Sequence, residues 1–307
     1  MRTWLRCALV LAVALGLVVP ASAAHATFPG KNGRLAFGRS AGSDTIALWT
    51  ANPDGSGQRR LTFAGSFEEP SWSAGGRRIV YLRGHSAYRA NALGIMNPDG
   101  SNRRRVPFYA SDELGSPSFS PGGRRIIVTR QVADRPTRVW TLRLDGTDRR
   151  LLVKDLPGDV YDGVFSPDGR LIAFSHRPPG ADYSAIYTVR TDGTGLRRIT
   201  PRGFRDHSPD WAPGSGRLVF TRTSRDFART NLMIVNVGGA NLHALTNAPR
   251  NVYAHDAAWS PDGRWIVYHR LTSRNSLRLI RPDGTDDHLV RLGGDSNLMP
   301  SWQAQPA

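Results

Sequence analysis

The chain has 307 residues, a formal charge of +16 and a single cysteine, Cys7. A lone thiol excludes a disulfide framework and cysteine-based zinc sites, so stability must come from an ordinary hydrophobic core. All but two of the 41 basic residues are arginine, the lysines being Lys31 and Lys154. That skew reads as base composition and a solvated surface, so no nucleic-acid partner is expected; attraction to anionic wall polymers remains open on electrostatic grounds.

The first stretch reads as a targeting segment. Arg2 and Arg6 precede an apolar run from Cys7 to Val19, which Pro20 ends. Two small-residue cleavage sites follow, Ala21-Ser22-Ala23 and Ala24-His25-Ala26. This is the layout of a signal peptide over residues 1–26, cut after Ala23 or Ala26. The apolar run is shorter than the roughly 20 residues of a membrane helix, and Cys7 lacks the small, apolar setting of a lipid-anchored cysteine. The expected product is secreted or extracytoplasmic, at the cell envelope, with no stable membrane span after cleavage, and monomeric.

From Asn32 onward the chain repeats. An aromatic stands just before a Pro-Asp-Gly-like turn at Trp72, Phe119, Phe165, Trp211, Trp259 and Trp302, at spacings of 47, 46, 46, 48 and 43 residues. Between these lie Asp54-Gly55, Asp99-Gly100, Asp145-Gly146, Asp192-Gly193 and Asp283-Gly284, with Gly238-Gly239 in the fifth unit. Each unit reads as four short strands. The first carries the aromatic and ends in a turn such as Ser166-Pro167-Asp168-Gly169, where Pro presets φ and Gly accepts positive φ. The second is apolar on both faces, as in Ile79-Val80-Tyr81, Ile126-Ile127-Val128 and Ile266-Val267-Tyr268, and must be sandwiched between layers. The third ends at the Asp-Gly hairpin. The fourth is basic, as in Arg59-Arg60 and Arg197-Arg198, which suits an outer edge where charge blocks edge-to-edge pairing.

Four-stranded units of this length are propeller blades. The expected fold is all-β, a six-bladed β-propeller over residues 27–307. Asn32 to Phe37 is a second strand lacking a first, and Pro300-Ser301-Trp302 is a first strand lacking a second. The two are expected to pair and close the ring. Trp49 and Trp140, on third strands, are expected to be buried like the repeated aromatics.

Ser260-Pro261-Asp262-Gly263 and Ser166-Pro167-Asp168-Gly169 carry a family resemblance. The repeats resemble the TolB-type propeller repeat, with its Pro-x-Trp-Ser-Pro-Asp-Gly core and Asp-Gly…Leu-Thr tail. Relatives with an α/β domain before the repeats, or a hydrolase domain after them, have no counterpart segment here. No Gly-x-Ser-x-Gly nucleophile elbow occurs. A propeller alone is therefore expected. Such propellers host unrelated activities, so the resemblance speaks to fold more than to function.

Candidate site residues follow from strand direction. Starts of first strands and ends of second strands share one rim, around the channel mouth. There the sequence places Glu68 and Glu69, Tyr161 and Asp162, Asp206 and His207, and His255 and Asp256. An arginine recurs at the end of the second strand, at Arg39, Arg83, Arg130, Arg222 and Arg270, with His176-Arg177 in the remaining unit. A residue repeated in every blade suits architecture; the acids and histidines vary between blades, which suits recognition. The loops from Gly84 to Ala92 and from Ser224 to Thr230 lie on the same side and are expected to help contact a partner. The expected function is a non-catalytic module binding a protein, peptide or envelope polymer at this mouth, with no cofactor. The alternative is a lyase or hydrolase acting on an acidic polysaccharide, with a divalent metal in the funnel held by His207, His255 and Asp256.

Overall fold

In the computed structural model, which describes residues 27–40, 45–84, 90–109, 112–294 and 296–306, every regular element is a β-strand. The segment read as a signal peptide lies outside the described residues. The strands fall into four-stranded antiparallel units. In one unit Ser66–Trp72 pairs with Ile79–Gly84, then Ala90–Met96, then Arg104–Val106. Outer strands are only two or three residues long, and most carry arginine, as in Arg59–Arg60 and Arg197–Arg198. Short, charged edges resist pairing with another chain.

Two adjacent units share one sheet. Arg229–Asn236 pairs in parallel with Val252–Trp259 through Arg229↔Val252 and Thr230↔Tyr253. The Thr230 hydroxyl donates to the Ala254 carbonyl at 2.9 Å and the Asn251 amide to the Ala228 carbonyl at 2.7 Å. Single parallel bridges, Ser184↔Arg205 and Asn275↔Ser296, mark the like junctions elsewhere.

The chain ends meet. Lys31–Ser40 pairs with Asn297–Gln305, with Leu35 opposite Trp302 and Ala36 opposite Ser301. Each inner strand packs against the inner strand of the following unit, and Asn297–Gln305 packs against both Val252–Trp259 and Ser66–Trp72.

The repeated aromatics are core. Trp72, Phe119, Trp211 and Trp259 are fully buried, and Phe165 and Trp302 nearly so. Second strands are buried on both faces, as their sequence implies. Trp49 and Trp140 differ from expectation: both are only partly buried. The Arg39 guanidinium lies 4.2 Å from the Trp49 ring centre, and Tyr109 sits edge-on to Trp140. On third strands the aromatic covers a neighbour at the rim rather than filling the space between sheets.

The turns explain the motif. Asp145 Oδ1 accepts from the Thr147 amide at 2.9 Å and the Thr147 hydroxyl at 2.6 Å, and the same pattern recurs at Asp54, Asp99, Asp192 and Asp283. The following glycine takes positive φ, +84° at Gly146. A β-carbon there would collide with the Pro107 carbonyl of the adjoining unit.

Candidate functional site

One irregularity builds the site. Every inner strand carries a β-bulge three residues before its aromatic, where the register slips by one against the second strand. The residue at the slip is left-handed without being glycine: Glu69, Ser116, Asp162, Ser208, Asp256 and Met299, with φ between 51° and 54°. Such a conformation costs on the order of 1 kcal/mol per residue, so six copies mark a built feature.

The bulge also sets which way neighbouring side chains point. Cross-strand partners share a sheet face. Asp206 pairs with Arg222 and so shares its face with Trp211; His207, one residue on, shares the opposite face with Thr221 and Asp210. Equivalents of His207 are Glu68, Tyr161 and His255, whereas Phe67, Val160 and Ala254 take the place of Asp206. Asp256 corresponds to Ser208, not to Asp206.

Residues at the bulges converge. The Ser116 amide donates to Glu69 Oε2, and the Ser116 hydroxyl donates to Asp162 Oδ1 at 2.8 Å. The Ser208 amide donates to Asp162 Oδ2 at 3.0 Å. Burial pushes the Glu69 carboxyl well above the usual range, with the Glu68, Asp162 and Asp256 charges adding to it. Burial likewise raises Asp162 to about 7, against hydrogen bonds from Ser116, Ser208 and Ser175. Three acids from alternate units, Glu69, Asp162 and Asp256, are thus buried, and Ser116 bridges the first two.

Above them the wall is partly exposed. Tyr161, His207 and His255 are each half-buried. Among the described residues His207 hydrogen-bonds to two hydroxyls, Ser208 and Thr223, each at 3.2 Å. Burial lowers its pKa to about 4, and lowers that of His255 well below the usual value, with His269 and His207 adding repulsion. Both imidazoles are therefore neutral at physiological pH, whereas burial raises the Tyr161 phenol and keeps it protonated. Tyr253 stacks parallel to His255 with ring centres 6.1 Å apart.

His269, directly opposite His255, belongs to this cluster and was not singled out from sequence. Its Nδ1 lies 3.6 Å from Asp256 Oδ2 and its Nε2 lies 2.8 Å from Asn275 Oδ1. The only sequence signal is that it precedes Arg270, as His176 precedes Arg177.

The arginines stand on the other face of their sheets. Arg222 grips Asp206 through two bonds, 2.6 and 2.8 Å, with its guanidinium 4.0 Å from the Phe204 ring centre. Arg130 pairs with Asp112 at 2.6 Å and lies 3.5 Å from the Tyr109 ring centre. Arg39 donates to Asn297 and Gln58, both at 2.8 Å. His176 instead contacts the Pro157 carbonyl at 2.7 Å. Arg83 is exposed beside Phe67, and Arg270 forms no ion pair among the described residues. The structure therefore separates the arginines and Asp206 from Glu68, Tyr161, His207 and His255. Asp206 is raised by burial, opposed by Arg222.

Among the described residues no three His, Asp or Glu side chains are arranged to hold a metal ion, and His207, His255 and Asp256 do not form such a set. Most of the loop from Gly84 to Ala92 lies outside the described residues. The turn after Ser224 is fixed by Asp226, which pairs with Arg250 at 2.7 Å. No helix among the described residues is long and apolar enough to cross a membrane.

Four-stranded sheets repeated along the chain, with inner strands packed on one another, define a β-propeller. Residues 103–305 match the TolB beta propeller domain, and the chain belongs to that family. It is 34% identical over 98 residues to the Tol-Pal system protein TolB of Anaeromyxobacter dehalogenans, covering 32% of this chain and 21% of the relative. It is 26% identical over 241 residues to TolB of Francisella tularensis, covering 76% of this chain and 53% of the relative. The crystal structure of TolB from Acinetobacter baumannii superposes with a TM-score of 0.76 at 18% identity, covering 89% of this chain and 67% of that one. The chain thus spans about a fifth to a half of the length of these two curated relatives.

Proposed function

We propose that the chain is an extracytoplasmic, non-catalytic binding module: six blades closed into a ring, taking a segment of a protein partner at the channel mouth. The observation that carries this reading is the state of the mouth histidines. His207 and His255 are neutral and partly exposed, and among the described residues neither is hydrogen-bonded or ion-paired to a carboxylate. A general base is oriented by an acid; Asp256 stands 3.6 Å from His269, whereas the hydrogen-bond partners of His207 among the described residues are side-chain hydroxyls. Neutral imidazoles, a protonated phenol and a stacked Tyr253 offer hydrogen bonds and apolar area at little desolvation cost, which suits recognition of peptide. Relatives that bear the name of the Tol-Pal system support a protein partner at the envelope. Pairing of Leu35 with Trp302, and inner strands packed in cyclic order, support the closed ring.

A photo-crosslinking residue placed at His255, and separately at Asp168 on the opposite rim, tests the reading in cells producing the full chain. We expect a discrete protein adduct from position 255, lost on His207→Ala, and none from position 168. Equal adducts from both positions, or none from position 255, would overturn it.

A further inference from the structure

Thr27, the first described residue, is built into the core: it is 1% exposed, and Phe28 beside it is 3% exposed and packed in an apolar cluster. The Thr27 hydroxyl lies 3.0 Å from Asp210 Oδ2 and 2.9 Å from the Trp259 carbonyl. Burial pushes the Asp210 carboxyl well above its usual range, opposed by the Trp259 amide, the Thr27 hydroxyl and the Thr27 backbone. Asp210 Oδ2 accepts from the Trp259 amide at 2.8 Å as well, so this one carboxylate ties Thr27 to two neighbouring units.

Asp210 is anomalous in two ways. It is fully buried, yet its Oδ1 has no hydrogen-bond partner and it forms no ion pair among the described residues. Leaving such a group unmatched in the interior is costly. It is also the only acid at its place in the repeat. The residue just before the aromatic is Ser71, Ser118, Val164, Ala258 and Ser301 in the other units. Ser301 accepts from the Trp72 amide at 3.3 Å, making the same link between units with no charge. The repeat itself therefore has no need of a carboxylate here. What distinguishes this junction is Thr27.

We propose that the Ala26–Thr27 bond is the processing site and that the freed α-ammonium of Thr27 forms a buried ion pair with Asp210. Hydrolysis consumes one water and breaks the C–N bond, leaving a carboxylate on Ala26 and an ammonium on Thr27. One amide donor becomes three donors and a positive charge, enough to serve Oδ1 as well as Oδ2. Cleavage of an exported chain precedes its folding, so burial of Thr27 is no obstacle. Cutting after Ala23 instead would leave Ala24-His25-Ala26 ahead of Thr27 and put the ammonium three residues away. The inference rests on export of the chain through residues 1–26.

The intact mass of the protein recovered outside the cytoplasm of producing cells is the first measurement, with Thr27 expected as its first residue. The second compares chains beginning at Thr27 and at Ala24, each as wild type, Asp210→Asn and Asp210→Ser, the last borrowing the residue used in three sister units. The Thr27 chain is expected to unfold at a higher urea midpoint than the Ala24 chain. An amine paired with a carboxylate has its folded pKa raised above the free value of about 8. The gap is therefore widest below that value while Asp210 stays ionised, closes as pH rises through the raised value, and closes again in acid as Asp210 takes up a proton. Both Asp210 variants are expected to abolish it. An exported chain beginning at Ala24, or a midpoint gap that survives in Asp210→Ser, overturns the proposal. A chain retained in the cytoplasm with its leader intact would instead overturn the export reading, and this inference with it.

Discussion

Asp206 and His207 are neighbours on the strand Arg205–Trp211, and they end in opposite circumstances. Asp206 is wholly buried and gripped by Arg222 on the face that carries Trp211. His207 is only partly buried on the other face, hydrogen-bonded to the Ser208 and Thr223 hydroxyls. Beside the Arg130 and Arg39 contacts the place of His207 is taken by Gly115 and Leu298, both buried, so the contrast belongs to this strand and is not general to the repeat. On this strand the group that balances charge and the group left partly exposed are sorted by sheet face.

The largest test of that division is Asp206→Ala. It leaves Arg222 partly buried without its carboxylate, and we expect a loss of about 3–5 kcal/mol in urea unfolding. The pair Asp206→Leu with Arg222→Met should recover much of that loss; a single-variant cost below about 1 kcal/mol would erase the contrast. Next comes Asp162. Its folded pKa is raised to about 7, above an unfolded value near 3.9, so the native state holds the extra proton. Its stabilising contribution is complete below about pH 4 and is lost as pH rises through 7, with a slope approaching ~1.4 kcal/mol per pH unit. Urea midpoints for Asp162→Asn should flatten over that window, and an unchanged slope would place the titration elsewhere. His207→Ala and His255→Ala should each shift stability by less than about 1 kcal/mol while removing the partner adduct. Smallest is Arg270→Ala, expected within about 0.5 kcal/mol of wild type by the same unfolding measurement, since Arg270 has no ion pair among the described residues.

The repeat made the strands, the turns and the core aromatics legible, because Pro-Asp-Gly and Asp-Gly-Ser/Thr leave one-dimensional marks. The pairing of Leu35 with Trp302 was legible for the same reason: each end displayed half of a known unit. Side-chain direction was not. A bulge leaves no residue-type signature, since Glu, Ser, Asp and Met all occupy it; grouping Asp206 with His207 passed over the alternation that sends strand neighbours to opposite faces. Partners of the arginines were hidden too. Asp112, Asn297 and Gln58 come from loops and strands whose approach depends on three-dimensional packing. His269 escaped notice because its place in the cluster depends on facing His255 across the sheet. Trp49 and Trp140 misled because size alone does not place an aromatic in the interior when a guanidinium or a second ring can cover it at the rim.

Asn297–Gln305 lies far along the chain from Lys31–Ser40, yet the two strands are partners. A message truncated anywhere upstream would keep every earlier residue and still leave Leu35 and Phe37 uncovered along one side. A half-made sheet of that kind is sticky and readily digested. Protease resistance of the first strand is therefore expected to depend on the presence of Asn297–Gln305.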